Sequence, residues 1–233
     1  MRILAFETSA KAASVALTEN GKLLAEAYQN TGMTHSQTLM VMAEDALRQC
    51  GLKSEDVDAV AVAEGPGSFT GVRIGMAAAK GFAWGRQIPC FGISTLEAMA
   101  ESLGIWEGIV CPVMDARRAQ VYNALFRAER GKLTRLTPDR AISLDDLKKE
   151  LENSENTVFL VGDGSNLCYN TLLEKIQGLV LPPEHRMHQR AVGVAVLAQR
   201  LADEGQTPDG GSLVPNYLRL SQAEREKLEW QGK

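Results

Sequence analysis

The chain has 233 residues, 45% of them hydrophobic and 23% charged, and a net charge of −4 at neutral pH. That is apolar material for one large domain or two small lobes. No basic run exceeds Arg117-Arg118 or Lys148-Lys149, which argues against a dominant nucleic-acid grip, since phosphate binding is mostly Lys and Arg work.

In chain order, Arg2–Phe6, Ala12–Leu17 and Lys22–Tyr28 read as three short strands, with Asn20-Gly21 a hairpin turn. Met1 leads straight into the first strand, so no signal peptide is expected, and no apolar stretch reaches spanning length. Thr34-x-x-Gln37 is a capping-box pattern that would start a helix and give His35 a helix-cap environment. In that helix Leu39, Met42, Ala43, Ala46, Leu47 and Cys50 form a core stripe, and Met40 and Val41 widen the apolar surface beyond one face. Cys50, Cys90, Cys111 and Cys168 are scattered without a Cys-x-x-Cys pair and read as small buried thiols of a reducing, cytoplasmic compartment.

An apolar strand, Val57–Ala63, then runs into Gly65-Pro66-Gly67 and a helix, Gly71–Gly85, with Thr70 as its expected N-cap. A strand, a glycine corner and a helix start place backbone N–H groups where an anion could sit. The spacing matches neither a phosphate-binding Gly-Lys-Ser/Thr loop nor a dinucleotide fingerprint. Gly71, Gly75, Ala79 and Ala83 fall at i, i+4, i+8 and i+12, a nearly bare stripe. It serves either packing of the helix on its own sheet or close approach of a partner helix.

Strand Ile88–Phe91 and helix Thr95–Leu103 close the first half. The second half reads as strands Ile109–Met114, Ala119–Phe126 and Lys132–Leu136, a short helix opened by Ser143-x-x-Asp146, strand Thr157–Val161 and the corner Gly162-Asp163-Gly164. Pro182-Pro183 marks a break, Arg190–Leu201 an apolar-faced helix, and Thr207–Ser212 a polar loop. The halves correspond feature by feature: Glu7 with Asp115, Gly21-Lys22-Leu23 with Gly131-Lys132-Leu133, Gly65-Pro66-Gly67 with Gly162-Asp163-Gly164. This is a duplicated α/β fold with a mixed sheet in each half, the layout of actin-like ATPases and sugar kinases. The expected division is a first lobe over residues 1–105, a second over 106–220 and a tail over 221–233.

In that layout the first hairpin of each lobe handles metal and phosphate. Here those positions hold Glu7-Thr8-Ser9 and Asp115-Ala116-Arg117, so Glu7, Thr8, Ser9 and Asp115 outline a vestigial nucleotide site with room for weak nucleotide binding. The first acid is Glu rather than Asp, and Arg117-Arg118 stand where a kinase has glycine for close approach. His185-x-x-His188 lacks a nearby cysteine or placed carboxylate beyond Glu184 and reads as a surface pair. No Gly-x-Ser-x-Gly elbow is present. No catalytic residue and no metal ligand is assigned.

Glu64-Gly-Pro-Gly-Ser-Phe-Thr-Gly-Val-Arg-Ile-Gly75, Ile3-Leu-Ala-Phe-Glu-Thr-Ser9, Thr34-His-Ser36, Val113-Met-Asp-Ala-Arg-Arg118 with Val121-Tyr122, and Pro215-Asn-Tyr-Leu-Arg219 together resemble the bacterial TsaB family, formerly YeaZ, over essentially the whole chain. Glu7 departs from the Asp more common there. The resemblance implies a cytoplasmic, non-catalytic scaffold in synthesis of N6-threonylcarbamoyladenosine (t6A) in tRNA. It implies pairing with the transferase TsaD, joining by the ATPase TsaE, and homodimers when alone. The threonylcarbamoyl-AMP synthase is a further candidate partner, and tRNA is met only through the complex; ATP is used by the partner subunits.

TsaD carries a His-x-x-x-His metal motif where this chain reads Gly92-Ile-Ser-Thr-Leu-Glu-Ala-Met99. The resemblance also implies that pairing uses the helices His35–Cys50 and Gly71–Gly85. The expected interface is His35, Leu39, Met40, Met42, Ala43, Leu47, Gly71, Arg73, Gly75, Met76, Ala79 and Ala83. On that reading Gly75→Leu or Ala79→Arg should break pairing and spare the fold. The competing readings are a small actin-like ATPase or kinase using Glu7, Thr8 and Asp115, and a metal-dependent peptidase, which the missing histidines disfavour.

Overall fold

A computed structural model describes residues 1–104, 107–152, 154–172 and 176–219. The expected tail, 221–233, and the boundary at 105/106 lie outside the described residues. Among the described residues two mixed sheets carry the fold. In the first, β1 (Arg2–Glu7), β2 (Ala13–Glu19), β3 (Lys22–Gln29), β4 (Ala59–Gly65) and β5 (Cys90–Ser94) lie in the order β3-β2-β1-β4-β5. β1 is antiparallel to β2 and parallel to β4, and β4 is parallel to β5.

Strand alternation divides the first core into two layers. Leu4, Phe6, Val60 and Val62 face α1 (His35–Gln49) and α2 (Phe69–Arg86), meeting Leu39, Ala43, Leu47, Met76, Ala79 and Ala83. Ile3, Ala5, Ala59 and Ala61 face the other way, toward Ala98 of α3 (Thr95–Glu101) and Ala191, Val194 and Ala198 of a helix later in the chain.

The second sheet is built around β6 (Gly108–Arg117), joined by β7 (Gln120–Asn123), β8 (Phe126–Glu129), β9 (Lys132–Arg135), β10 (Arg140–Ser143), β11 (Val158–Val161) and β12 (Leu179–Val180). The single strand expected over Ala119–Phe126 is two. Pro112 of β6 has no N–H to offer a ladder, and the buried Asn123 amide donates to its carbonyl (3.0 Å). The chain therefore pairs with the C-terminal part of β6 as β7 and with its N-terminal part as β8. β10, absent from the expected elements, pairs with β7. One face of this sheet packs on α4 (Leu144–Leu151) and α5 (Ser165–Leu172) through Leu147, Leu151, Cys168 and Leu172. The other packs on Leu96, Met99, Ala100 and Leu103. α3 thus lies between the sheets and serves both cores.

After α6 (Glu184–Met187) the chain returns to the first lobe. α7 (Ala191–Asp203) lies on the first sheet, and its N-terminus is tied there by Ala191 N–H to Ser14 Oγ (3.1 Å). The Arg190 guanidinium grips Glu26 of β3 at 2.9 and 3.0 Å. The division at 106–220 is corrected on this point: from residue 191 onward the helix belongs to the first-lobe core. Among the described residues no helix is long and apolar enough to cross a membrane.

Candidate functional site

The first-lobe hairpin is packed directly on the start of α2. Thr8 Oγ1 donates to Gly71 O (2.8 Å), and Ser68 N–H donates to Ser9 O (2.6 Å). A Cβ on Gly71 would lie 2.0 Å from Thr8 O, and one on Gly75 2.3 Å from Thr8 Oγ1. Gly71 leaves room for the hairpin backbone and Gly75 for the Thr8 side chain. The N-cap is Ser68, whose Oγ accepts from Gly71 N–H (3.3 Å), and not Thr70, because the helix begins at Phe69, two residues earlier than its apolar pattern. The Thr34 side chain makes no cap bond; Gln37 N–H is taken by the Thr34 carbonyl instead, so the capping box does not form. His35 is held by its Nε2 on Ala10 O (2.8 Å).

The two acids make the same local bond. Glu7 Oε1 accepts from Ser9 N–H, and Asp115 Oδ1 accepts from Arg117 N–H, each at 2.6 Å. Their surroundings differ. Glu7 is 1% exposed and Asp115 is exposed. Burial pushes the Glu7 carboxyl up to about 7; hydrogen bonds from Ser9 oppose the rise and the nearby Asp163 adds to it. Asp163 is itself raised by burial, against a hydrogen bond from Gln189 (3.0 Å). The corners after β4 and β11 open on glycines with the same positive φ, 116° at Gly65 and 115° at Gly162, although only the Gly65-Pro66 bond is cis. Arg117, Arg118 and Ala119 take φ of 62°, 57° and 54°, the left-handed region that a glycine there would enter without strain.

Between the lobes lies a cavity of about 690 Å³, lined among others by Ser9, Lys11, His35, Phe69, Asp115, Arg117 and Asp163. The structure brings Ser9 and Asp115 to this cavity; Glu7 is buried and does not line it, and Thr8 is spent on α2. Asp163 is the cavity acid that sequence reasoning left unassigned, though its Gly-Asp-Gly corner marks it as the counterpart of Gly65-Pro66-Gly67. Among the described residues no three His, Cys, Asp or Glu side chains are grouped to hold a metal. His188 Nε2 lies 2.9 Å from Glu184 Oε1.

The expected interface divides into two sets. Leu39, Ala43, Leu47, Gly71, Gly75, Met76, Ala79 and Ala83 are buried in the chain's own core, and Met42 packs against it. The expectation that Gly75→Leu or Ala79→Arg spares the fold is therefore corrected: both would drive atoms into the first sheet or its hairpin. Met40 and Arg73 are exposed, and so are Val41 and Trp84, the latter at 84%. α2 also carries a second small-residue stripe, Ala77, Gly81 and Gly85, which faces outward; a Cβ on Gly81 or Gly85 meets nothing within 4 Å.

The protein-family model described as "TsaD: tRNA N6-adenosine threonylcarbamoyltransferase" matches residues 26–227. A Bacillus subtilis relative, "tRNA threonylcarbamoyladenosine biosynthesis protein TsaB", is 33% identical over 99% of this chain and 100% of its own length. The chain belongs to the TsaB (YeaZ) family. Among solved structures, YeaZ from Pseudomonas aeruginosa superposes with a TM-score of 0.78 at 26% identity, covering 93% of this chain and 99% of that one. The Clostridium difficile activator of 2-hydroxyisocaproyl-CoA dehydratase, at 0.52 and 14% identity over 88% and 97%, shares the fold alone. The architecture is the duplicated actin-like ATPase fold.

Proposed function

We propose that this chain is a non-catalytic partner subunit in synthesis of t6A on tRNA, pairing with the transferase TsaD and, with it, the ATPase TsaE. The role in t6A synthesis rests on the relatives' names over nearly the full chain. One observation carries the scaffold reading beyond the names. α1 and α2 bury one face each in the first sheet and leave a second, apolar or bare face open, made of Met40, Val41, Ala77, Gly81, Trp84 and Gly85 with Arg73 at its end. Exposed Trp, Met and Arg are the residue types of interface cores and hot spots. Small residues at i, i+4 and i+8 let a second helix come close. The partner is thus a protein that presents helices, either the transferase or a second copy of this chain.

The cavity offers little chemistry of its own. In each hairpin one N–H that could hold a phosphate is taken up by the acid, Ser9 N–H by Glu7 and Arg117 N–H by Asp115. The kinase reading would need these acids free. Titrating the purified transferase into the chain by calorimetry tests the proposal. Binding that Gly81→Arg abolishes while the variant melts like the parent supports it; equal binding by the variant rejects the α1–α2 face, and no binding by the parent rejects the pairing.

A further inference from the structure

The segment from Leu213 to Arg219 leaves the first lobe and ends on the second. Lys80 Nζ of α2 donates to Leu213 O (3.0 Å). Asn216 N–H donates to Glu64 O (2.7 Å) beside the Gly65-Pro66 corner, where a Cβ on Gly65 would lie 2.7 Å from Asn216 O. Tyr217 stacks on Phe69, with ring centroids 4.2 Å apart and planes 10° from parallel. Arg73 donates from Nε to Tyr217 Oη (2.6 Å), and its guanidinium carbon is 5.5 Å from each of the two ring centroids. Two residues on, Arg219 Nη1 donates to Ala116 O and lies 3.5 Å from Arg117 O.

These contacts grip both lips of the inter-lobe cavity. Phe69 lines it from the first lobe; Ala116 and Arg117 line it from the second. The second-lobe lip is the turn with three successive residues in the left-handed region, a conformation that persists only where neighbours hold it. Arg219 supplies such a hold at the entry to the turn, on the Ala116 carbonyl, with Arg117 O at 3.5 Å. At the other end, Arg73 stands on the outward side of α2, so one side chain belongs both to the open face and to the segment that crosses the cleft.

We propose that residues 213–219 form an inter-lobe latch that fixes the width of the cavity and couples the outward face of α2 to the 117–119 turn. A partner that takes Arg73 into its own contacts withdraws the Tyr217 hydroxyl's donor and loosens the Phe69–Tyr217 stack. The hold of Arg219 on the second lobe then relaxes. The partner's part in this rests on the scaffold reading above; the latch does not.

The test uses the free chain, so its failure is separable from failure of partner binding. Spin labels go on Lys53→Cys and Glu129→Cys, exposed positions in opposite lobes, in a Cys50→Ser background, the other three cysteines being buried. The parent should give one narrow inter-lobe distance. Arg219→Ala should broaden or split it, and Tyr217→Phe, which keeps the stack and removes only the hydroxyl, should do so to a smaller degree, as should Arg73→Ala. An unchanged distribution in all three folded variants overturns the latch. Broadening confined to Arg219→Ala overturns the coupling to α2. Should Arg219→Ala fail to fold, Arg219→Lys, which keeps the charge and shortens the reach, carries the same two outcomes.

Discussion

The inward and outward faces of α2 are made of similar small residues at the same four-residue spacing, and they meet opposite surroundings. Gly71, Gly75, Ala79 and Ala83 are buried against the first-lobe hairpin and sheet, with backbone or hydroxyl oxygen where a glycine Cβ would go. Ala77, Gly81 and Gly85 have open space instead. A bare stripe therefore reports that something must come close and says nothing about what. On this helix one stripe is claimed by the chain itself, and the other is open and is the one our proposal gives to a partner.

Substitutions on the two faces should separate folding from binding. On the inward face, Gly75→Leu should cost about 1–3 kcal/mol through overpacking and Ala79→Arg about 3–5 kcal/mol through an unpaired buried charge. Urea unfolding or loss of soluble protein would show it, and a variant of parental stability would break the comparison. On the outward face, Gly81→Arg should leave stability unchanged or slightly raised, since glycine is a poor helix residue by about 0.8–1 kcal/mol. It should weaken transferase binding at least about 30-fold. Trp84→Ala should behave alike, and equal binding by both would place the interface elsewhere.

The two hairpin acids sharpen the same contrast between buried and open. Glu7 is held near 7 against 4.5 in a free carboxyl, so the native state keeps a proton that the unfolded chain releases. Stability contributed by this group is present below pH 4.5 and falls as pH rises toward 7, by about 3 kcal/mol at most. Glu7→Gln should flatten that part of the stability–pH curve; a parallel curve would mean that Glu7 ionises freely. Asp115→Asn, on the exposed hairpin, should change stability by less than about 0.5 kcal/mol, since the amide oxygen can still accept from Arg117 N–H.

Much of this fold is legible in the sequence because strand alternation and turn chemistry are local. The Asn20-Gly21 turn, the glycine corners after β4 and β11 and the paired acids Glu7 and Asp115 all signal the duplication before any coordinates. What was not legible depends on distant contacts. Asn123 and Pro112 split one apparent strand in two. α7 returns to the first sheet through Ser14 and Glu26, which nothing in its own amphipathic pattern announces. The N-cap at Ser68 rather than Thr70 follows from the hairpin packed against it. For the proposed interface, the sequence points to two helices, and only packing decides which of their faces is free: Met40 and Arg73 stand out, while Leu39 and Ala79 turn in.

The central claim is that the chain acts through a partner and not through a catalytic centre of its own. The most direct measurement is reconstitution of t6A from threonylcarbamoyl-AMP synthase, transferase, ATPase, ATP, threonine, bicarbonate and tRNA, with parent chain, Gly81→Arg chain or none. The account predicts product with the parent chain and loss of product with either of the others. Product formed equally in the absence of the chain would contradict it.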